Sequence, residues 1–159
     1  MAVYRAMRVV LQRVRRASVA VAGETVGAIG HGLVALVGVG ARSTPGDAAW
    51  LAAKTDGLRI FADDAGHMNR CRLDVGGGVL AISQFTLYGD VRKGRRPSFV
   101  GAAEPAHGER CYTAYCEALR APVARGVFGA HMVIDFVADG PVTLLLEREG
   151  GRVSPAIPA

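Results

Sequence analysis

The segment LVALVGVG, residues 33–40, carries no polar side chain. A run this short and this unbroken reads as a β-strand covered on both faces, because a strand with one wet face alternates apolar with polar residues. The rest of the chain must therefore supply a layer on each side. Upstream, RVVLQRV (8–14) and ASVAVAG (17–23) read as two β-branched, partly alternating strands, and Gly23, Gly27, Gly30 and Gly32 mark turns around a short third one. Downstream, Ser43 or Thr44 caps a helix that has Pro45 at its first position and Asp47 in its first turn. Ala48, Leu51, Ala52 and Leu58 form that helix's inward stripe.

RIFADDAGHMN (59–69) reads as a strand turning at Asp64-Ala65-Gly66. After the glycines at 76–78, VLAISQFTL (79–87) is the most strand-like central segment. A second helix is expected from Pro105 to Ala121, stopped by Pro122, with Cys111, Tyr112, Tyr115, Cys116 and Leu119 on its inner side. HMVIDFVA and VTLLLE, joined by a turn at DGP, read as a hairpin, and residues 148–159 as a loose tail. The expected fold class is α+β: one strand-rich domain over residues 7–147, its sheet or barrel-like β layers covered by two helices.

The 159 residues suit a single domain, and a chain that is half hydrophobic can bury a core. With 19 basic against 14 acidic residues the net charge is +5, which favours an anionic partner such as nucleic acid. Three cysteines, Cys71, Cys111 and Cys116, form no disulfide framework and no zinc spacing; an odd count fits a reducing cytoplasm. The opening MAVYRAMRVVLQRVRR holds five arginines and no uninterrupted apolar stretch, so it reads as neither signal nor span. Met7 then opens the folded part, with residues 1–6 an extension.

Chemistry is signalled most strongly at AISQFTLYGDVRKGRRPSF, residues 81–99. A strand end that presents Ser83, Gln84 and Thr86 runs directly into Arg92, Lys93, Arg95 and Arg96. Polar groups and backbone N–H donors beside four cations suit a reacting centre attached to a polyanion. Other motifs are weak. The triple glycine lacks the Lys-Ser/Thr of a phosphate loop, and no G-x-S-x-G elbow surrounds Ser83 or Thr86. His31, His67, His107 and His131 lack paired metal spacing, so neither metal nor cofactor is expected. Gly140-Pro141 is compatible with a tight turn, and sequence alone does not assign its isomer.

Several segments together resemble the D-aminoacyl-tRNA deacylase family, the D-tyrosyl-tRNA(Tyr) deacylases of Gly-cisPro type. They are MRVVLQRVRRASVAVAGETVGAIGHGLVALVGVG, LRIFADDAGHMN, SQFTLYGDVRKGRRPSF, FGAHM and DGPVTLLLE, in order from Met7 to Glu147. The resemblance implies a cytoplasmic homodimer that hydrolyses the ester joining a D-amino acid to the 3′-terminal adenosine of tRNA, as quality control in translation. It implies a cis Gly140-Pro141 that projects into the other subunit's site, where its carbonyls exclude an L-side chain; glycyl-tRNA still enters. The catalytic segment becomes Ser83, Gln84, Phe85 and Thr86. The amides of Phe85 and Thr86 stabilise the oxyanion, and Ser83 and Gln84 shape the pocket. Thr86 acts either as nucleophile or beside a water assisted by the RNA's own 2′-hydroxyl. The resemblance further puts Arg92, Lys93, Arg95 and Arg96 against phosphates, and Pro97, Ser98, Phe99 and Ala102 near the terminal adenosine. Two positions depart from the family: Ala138 stands where Asn is common, and His131 where Asp is common.

Two rival readings use the same residues. A non-catalytic tRNA- or RNA-binding module would need only the basic loop at 92–96. A hydrolase of small D-amino-acid esters would use Thr86 as a covalent nucleophile and leave a trappable acyl-enzyme.

Overall fold

The computed structural model describes residues 6–153. Its elements are β1 (Met7–Val21), β2 (Glu24–Ile29), β3 (Gly32–Gly38), α1 (Pro45–Gly57), β4 (Phe61–Ala62), β5 (Met68–Arg70), β6 (Gly78–Ser83), a 3-10 turn (Phe85–Tyr88), α2 (Pro105–Ala118), β7 (Val123–Arg125), β8 (Val133–Glu149) and β9 (Arg152–Val153). One sheet runs β7-β6-β3-β1-β8-β9 with β2 also paired to β1, and β4–β5 is a separate hairpin. β3 is the strand covered on both faces: Leu33, Val34 and Ala35 are all fully buried.

β3–β6 and β6–β7 are parallel pairs. Parallel neighbours need long crossovers; the first holds α1 and the second α2. The two helices therefore cover one face of the sheet, burying Leu51, Ala52, Cys111 and Tyr115 against Leu33, Ala35, Val79 and Ala81. On the other face Val34, Leu80 and Ile82 meet Val14, Ala17 and Val19, because the sheet curls back on itself. At Gly27 of β2 an added Cβ would stand 2.7 Å from the Arg125 carbonyl of β7, so the curl is close to a closed barrel and tolerates no side chain there.

One strand, β1, replaces the two expected strands. It buries Met7, Val9 and Leu11 in the helix-side core, then Val14, Ala17 and Val19 in the other. Its pairing with β8 shifts register between Gln12 and Val14 and again between Val14 and Arg16; such irregularities bend a strand, which lets it serve both cores. Arg15 and Arg16, exposed at the bend, break the alternation and make one strand look like two.

The expected hairpin at DGP is likewise a single strand. Ala138 pairs with Val14 and Thr143 with Gln12, so residues 139–142 bulge out opposite Arg13 alone. VLAISQFTL does not stay extended either: β6 ends at Ser83 and the chain folds into the 3-10 turn. α2 stops at Ala118, and both Ala121-Pro122 and Gly140-Pro141 are cis. β8 continues through Glu149, and Gly150-Gly151 turn it into β9, so the first part of the expected tail is ordered; residues 154–159 lie outside the described residues. The hairpin is held by buried Asp47, which accepts the N–H groups of Gly150 and Gly151 at 3.3 and 3.4 Å. The same carboxylate completes a capping box with Thr44 at the start of α1.

Candidate active site

The ladder between β3 and β6 ends where the Gln84 N–H donates to the Val37 carbonyl at 2.8 Å. The turn that follows packs tightly on β3: an added Cβ at Gly38 would lie 2.9 Å from the Tyr88 ring and 3.2 Å from Leu87. Buried Tyr88 donates its hydroxyl to the Ala6 carbonyl at 2.6 Å, and Arg8 donates to the Leu87 carbonyl at 2.8 Å. Burial pushes the Tyr88 phenol well above its ordinary pKa, so it stays a neutral donor. The turn is thus pinned from behind by β1 and its flank, while Phe85 and Thr86 face outward.

The amides of Phe85 and Thr86 open the turn, where N–H groups have no acceptor within a helix. Leu87, next in line, donates to the Gln84 carbonyl at 3.4 Å. The Gln84 side-chain amide donates to Thr86 Oγ1 at 3.0 Å. A donor occupies the threonine oxygen, and an amide is no base.

In front of these residues opens a cavity of about 690 Å³. Ser83, Gln84, Phe85, Thr86, Phe99 and Ala102 all line it, so six of the sequence-nominated residues converge on one space. Phe85 and Phe99 meet edge to face, centroids 5.1 Å apart. The basic loop hangs from this rim. Asp90 and Ser98 exchange both backbone hydrogen bonds, at 2.7 and 2.9 Å, closing the loop that presents exposed Lys93, Arg95, Arg96 and Pro97. Arg92 holds Asp90 at 2.8 Å, which pulls that carboxyl down to about 2. Arg92, Lys93, Arg95, Arg96, Pro97 and Ser98 are not themselves part of the cavity lining.

Residue-level reading of the sequence missed the wall formed by Tyr112, Phe128, His131 and Met132. Tyr112 donates its hydroxyl to the Ala81 carbonyl at 2.8 Å, and its ring lies 6.0 Å from that of Phe128. Tyr112 was visible as an inward helix residue and FGAHM as part of the family pattern, but no local signal joins the two across sixteen or more positions.

Gly140 and Pro141 do not line their own chain's cavity. Their bulge sits beside Val14, which pairs with Gly32, whereas the cavity lies at Val37. Five residues of β3 separate the two, roughly 17 Å. Arg13 braces the bulge, donating from Nε to the Asp139 carbonyl at 3.1 Å and from Nη1 to the Ile60 carbonyl at 2.7 Å. The Asp139 carboxylate also faces Arg15 at 3.8 Å and His31 at 3.9 Å. Gly140 has φ +130, and a Cβ there would meet the Val142 nitrogen at 2.9 Å, so the position requires glycine.

Along β8 next to the bulge Val133 and Val137 are exposed on the side that faces away from the core, and Phe136 and Leu145 are further exposed apolar side chains of the strand. Among the described residues no cluster of three His, Cys, Asp or Glu side chains could hold a metal ion, and no helix is long and apolar enough to cross a membrane.

The profile of the family described as D-Tyr-tRNA(Tyr) deacylase matches residues 10–147. A D-aminoacyl-tRNA deacylase of Deinococcus deserti is 57% identical over 144 residues, covering 89% of this chain and 99% of the relative. One from Halalkalibacterium halodurans is 55% identical over 146 residues, covering 90% and 100%. Among solved structures, a c-Myc DNA unwinding element binding protein superposes with a TM-score of 0.82 at 38% identity, over 94% of this chain and 99% of the other. A probable eukaryotic D-amino acid tRNA deacylase shares the fold, with a TM-score of 0.79 at 19% identity over 90% and 100%.

Proposed function

The chain belongs to the D-Tyr-tRNA(Tyr) deacylase family and is a hydrolase; from that premise we propose how its residues divide the work. The substrate is D-aminoacyl-tRNA, cleaved at the ester to give free D-amino acid and tRNA. The observation that carries this reading is the convergence of Ser83–Thr86 with Phe99 and Ala102 on one cavity whose rim bears the basic loop. The ester carbonyl points at the amides of Phe85 and Thr86, which stabilise the developing oxyanion without titrating. Ser83 and Gln84 shape the pocket around the scissile bond. Phe99, Ala102 and the neighbouring Pro97 and Ser98 receive the terminal adenosine, with aromatic faces for the base. Arg92, Lys93, Arg95 and Arg96 meet the phosphates behind it.

Water is the nucleophile, oriented by the RNA's 2′-hydroxyl, since the side chain bonded to Thr86 Oγ1 is an amide rather than a base. Selection between D and L falls to Gly140 and Pro141 and needs a homodimer. Exposed Val133 and Val137, on one side of β8, give it apolar side chains for that contact, and the bulge beside them enters the other subunit's cavity. Its carbonyls stand where an L-side chain would project, and glycyl-tRNA, lacking one, passes. Arg13 supports the wall in place of the side-chain amide that Ala138 lacks.

The second reading, nucleic-acid binding without cleavage, is favoured by the basic loop and by the DNA-binding name of one structural relative. Multiple-turnover release of free D-tyrosine from D-tyrosyl-tRNA separates the two. An enzyme clears an excess of substrate, whereas binding without turnover, or protection of the ester, would overturn the deacylase assignment.

A further inference from the structure

Residues 139–142 of β8 have no ladder partner on β1, and Arg13 alone stands opposite them. A backbone released from its ladder needs side chains to fix it. Arg13 supplies that fixing and is itself held from two sides. Its Nη1 donates to the Ile60 carbonyl at 2.7 Å, and its Nε donates to the Asp139 carbonyl at 3.1 Å. The same Nε lies 3.6 Å from the Asp139 carboxylate, so one residue engages the guanidinium through both main chain and side chain. Nη2 fills the space beside Gly140, 3.2 Å from where a Cβ would stand. Arg15 and His31 approach the same carboxylate at 3.8 and 3.9 Å, and His31 rests edge-on against Phe61. Exposure decides which pair matters. The Arg13 and Asp139 side chains are 15% and 28% exposed, whereas Arg15 is 75% exposed. An exposed pair adds little and a largely covered one is less screened, so Asp139 acts chiefly on Arg13.

We propose that Asp139 is a positioning residue for selection between D- and L-substrates. Its carboxylate holds the Arg13 guanidinium over the bulge, and the guanidinium sets where the Gly140 and Pro141 carbonyls stand. The inference rests on the reading of that bulge as the wall against an L-side chain. An arginine without an acid beside it spreads over many rotamers; the Asp139 charge retains the one that reaches both the bulge and Ile60. The precision matters, because a misplacement of about 1 Å is worth up to roughly 100-fold in a positioned reaction. Asp139 does not line its own chain's cavity and is given no reacting atom to touch, so its effect falls on discrimination.

The test measures kcat and KM for D-tyrosyl- and L-tyrosyl-tRNA with wild type, Asp139→Asn, Asp139→Ala and Arg15→Gln. Asp139→Asn keeps the shape of the side chain and removes its charge. Both Asp139 variants should lower the D-to-L ratio of kcat/KM by about tenfold or more, through faster cleavage of the L-ester. Turnover of the D-ester should change less than that ratio. Arg15→Gln should keep the wild-type ratio, because its pair with Asp139 is exposed. A merely structural loss lowers both rates together and leaves their ratio in place. An unchanged ratio in the Asp139 variants therefore overturns the proposal. So does a wild-type ratio in Asp139→Asn alone, since a neutral side chain would then suffice; this variant decides if Asp139→Ala does not fold. Wild-type protein that cleaves the two esters equally would instead refute the bulge as a wall, whatever Asp139 does.

Discussion

Arg72 is fully buried, and its guanidinium serves three parts of the fold at once. It donates from Nε to Asp56 of α1 at 2.8 Å and from Nη1 to the Gly77 carbonyl at 2.9 Å, and it also reaches the Arg120 carbonyl. Removing one partner of a buried pair strands the other charge, so Arg72→Ala should cost about 3 kcal/mol or more. Urea unfolding followed by circular dichroism checks this; a loss below about 1 kcal/mol would mean that water replaces the guanidinium. Thr86 carries the opposite expectation. If the amides and the RNA hydroxyl do the chemistry, Thr86→Ala keeps kcat within about tenfold, and a 2′-deoxy terminal ribose lowers it by roughly 100-fold or more. Single-turnover assays on both decide it. An inactive Thr86→Ala with normal turnover of the deoxy substrate would return the nucleophile role to the threonine.

At the scale of elements, sequence pattern reveals what local chemistry dictates. The strand at 33–40 is legible because both its faces are apolar, and α1 because Thr44, Pro45 and Asp47 supply cap, first residue and capping box. Where distant residues decide, the pattern misleads. Phe85–Leu87 have strand-like side chains, but Gly38, Tyr88 and Arg8 fold them into a turn. DGP carries a turn signature, yet continuous pairing of β8 with β1 on both sides makes it a bulge. The candidate site divides the same way. Ser83 to Thr86, Phe99 and Ala102 lie close in sequence and are legible; Tyr112, Phe128 and His131 join them through tertiary packing alone. The basic loop is the element whose role is most open to test. Arg95→Glu with Arg96→Glu should weaken tRNA binding and lower the magnitude of its log–log salt slope by about 1.5, because fewer counterions are released. Titrations at several salt concentrations measure it, and an unchanged slope would make these arginines structural.

For the whole molecule, the cavity and the Gly140-Pro141 bulge lie at opposite ends of β3, so the selectivity proposed for the bulge requires a second chain. Two copies satisfy that if β8 meets a second subunit through exposed Val133 and Val137. Val133→Asp with Val137→Asp should yield monomers in sedimentation, and those monomers should lose discrimination against L-substrates. A variant that remains dimeric, or a monomer as selective as the wild type, would separate selectivity from assembly. The measurement that reaches the centre of the account is deacylation of D-tyrosyl-, L-tyrosyl- and glycyl-tRNA by the same wild-type preparation. A fixed backbone wall predicts that D-tyrosyl- and glycyl-tRNA are cleaved while L-tyrosyl-tRNA decays no faster than without protein. Equal cleavage of the D- and L-tyrosyl esters would contradict it.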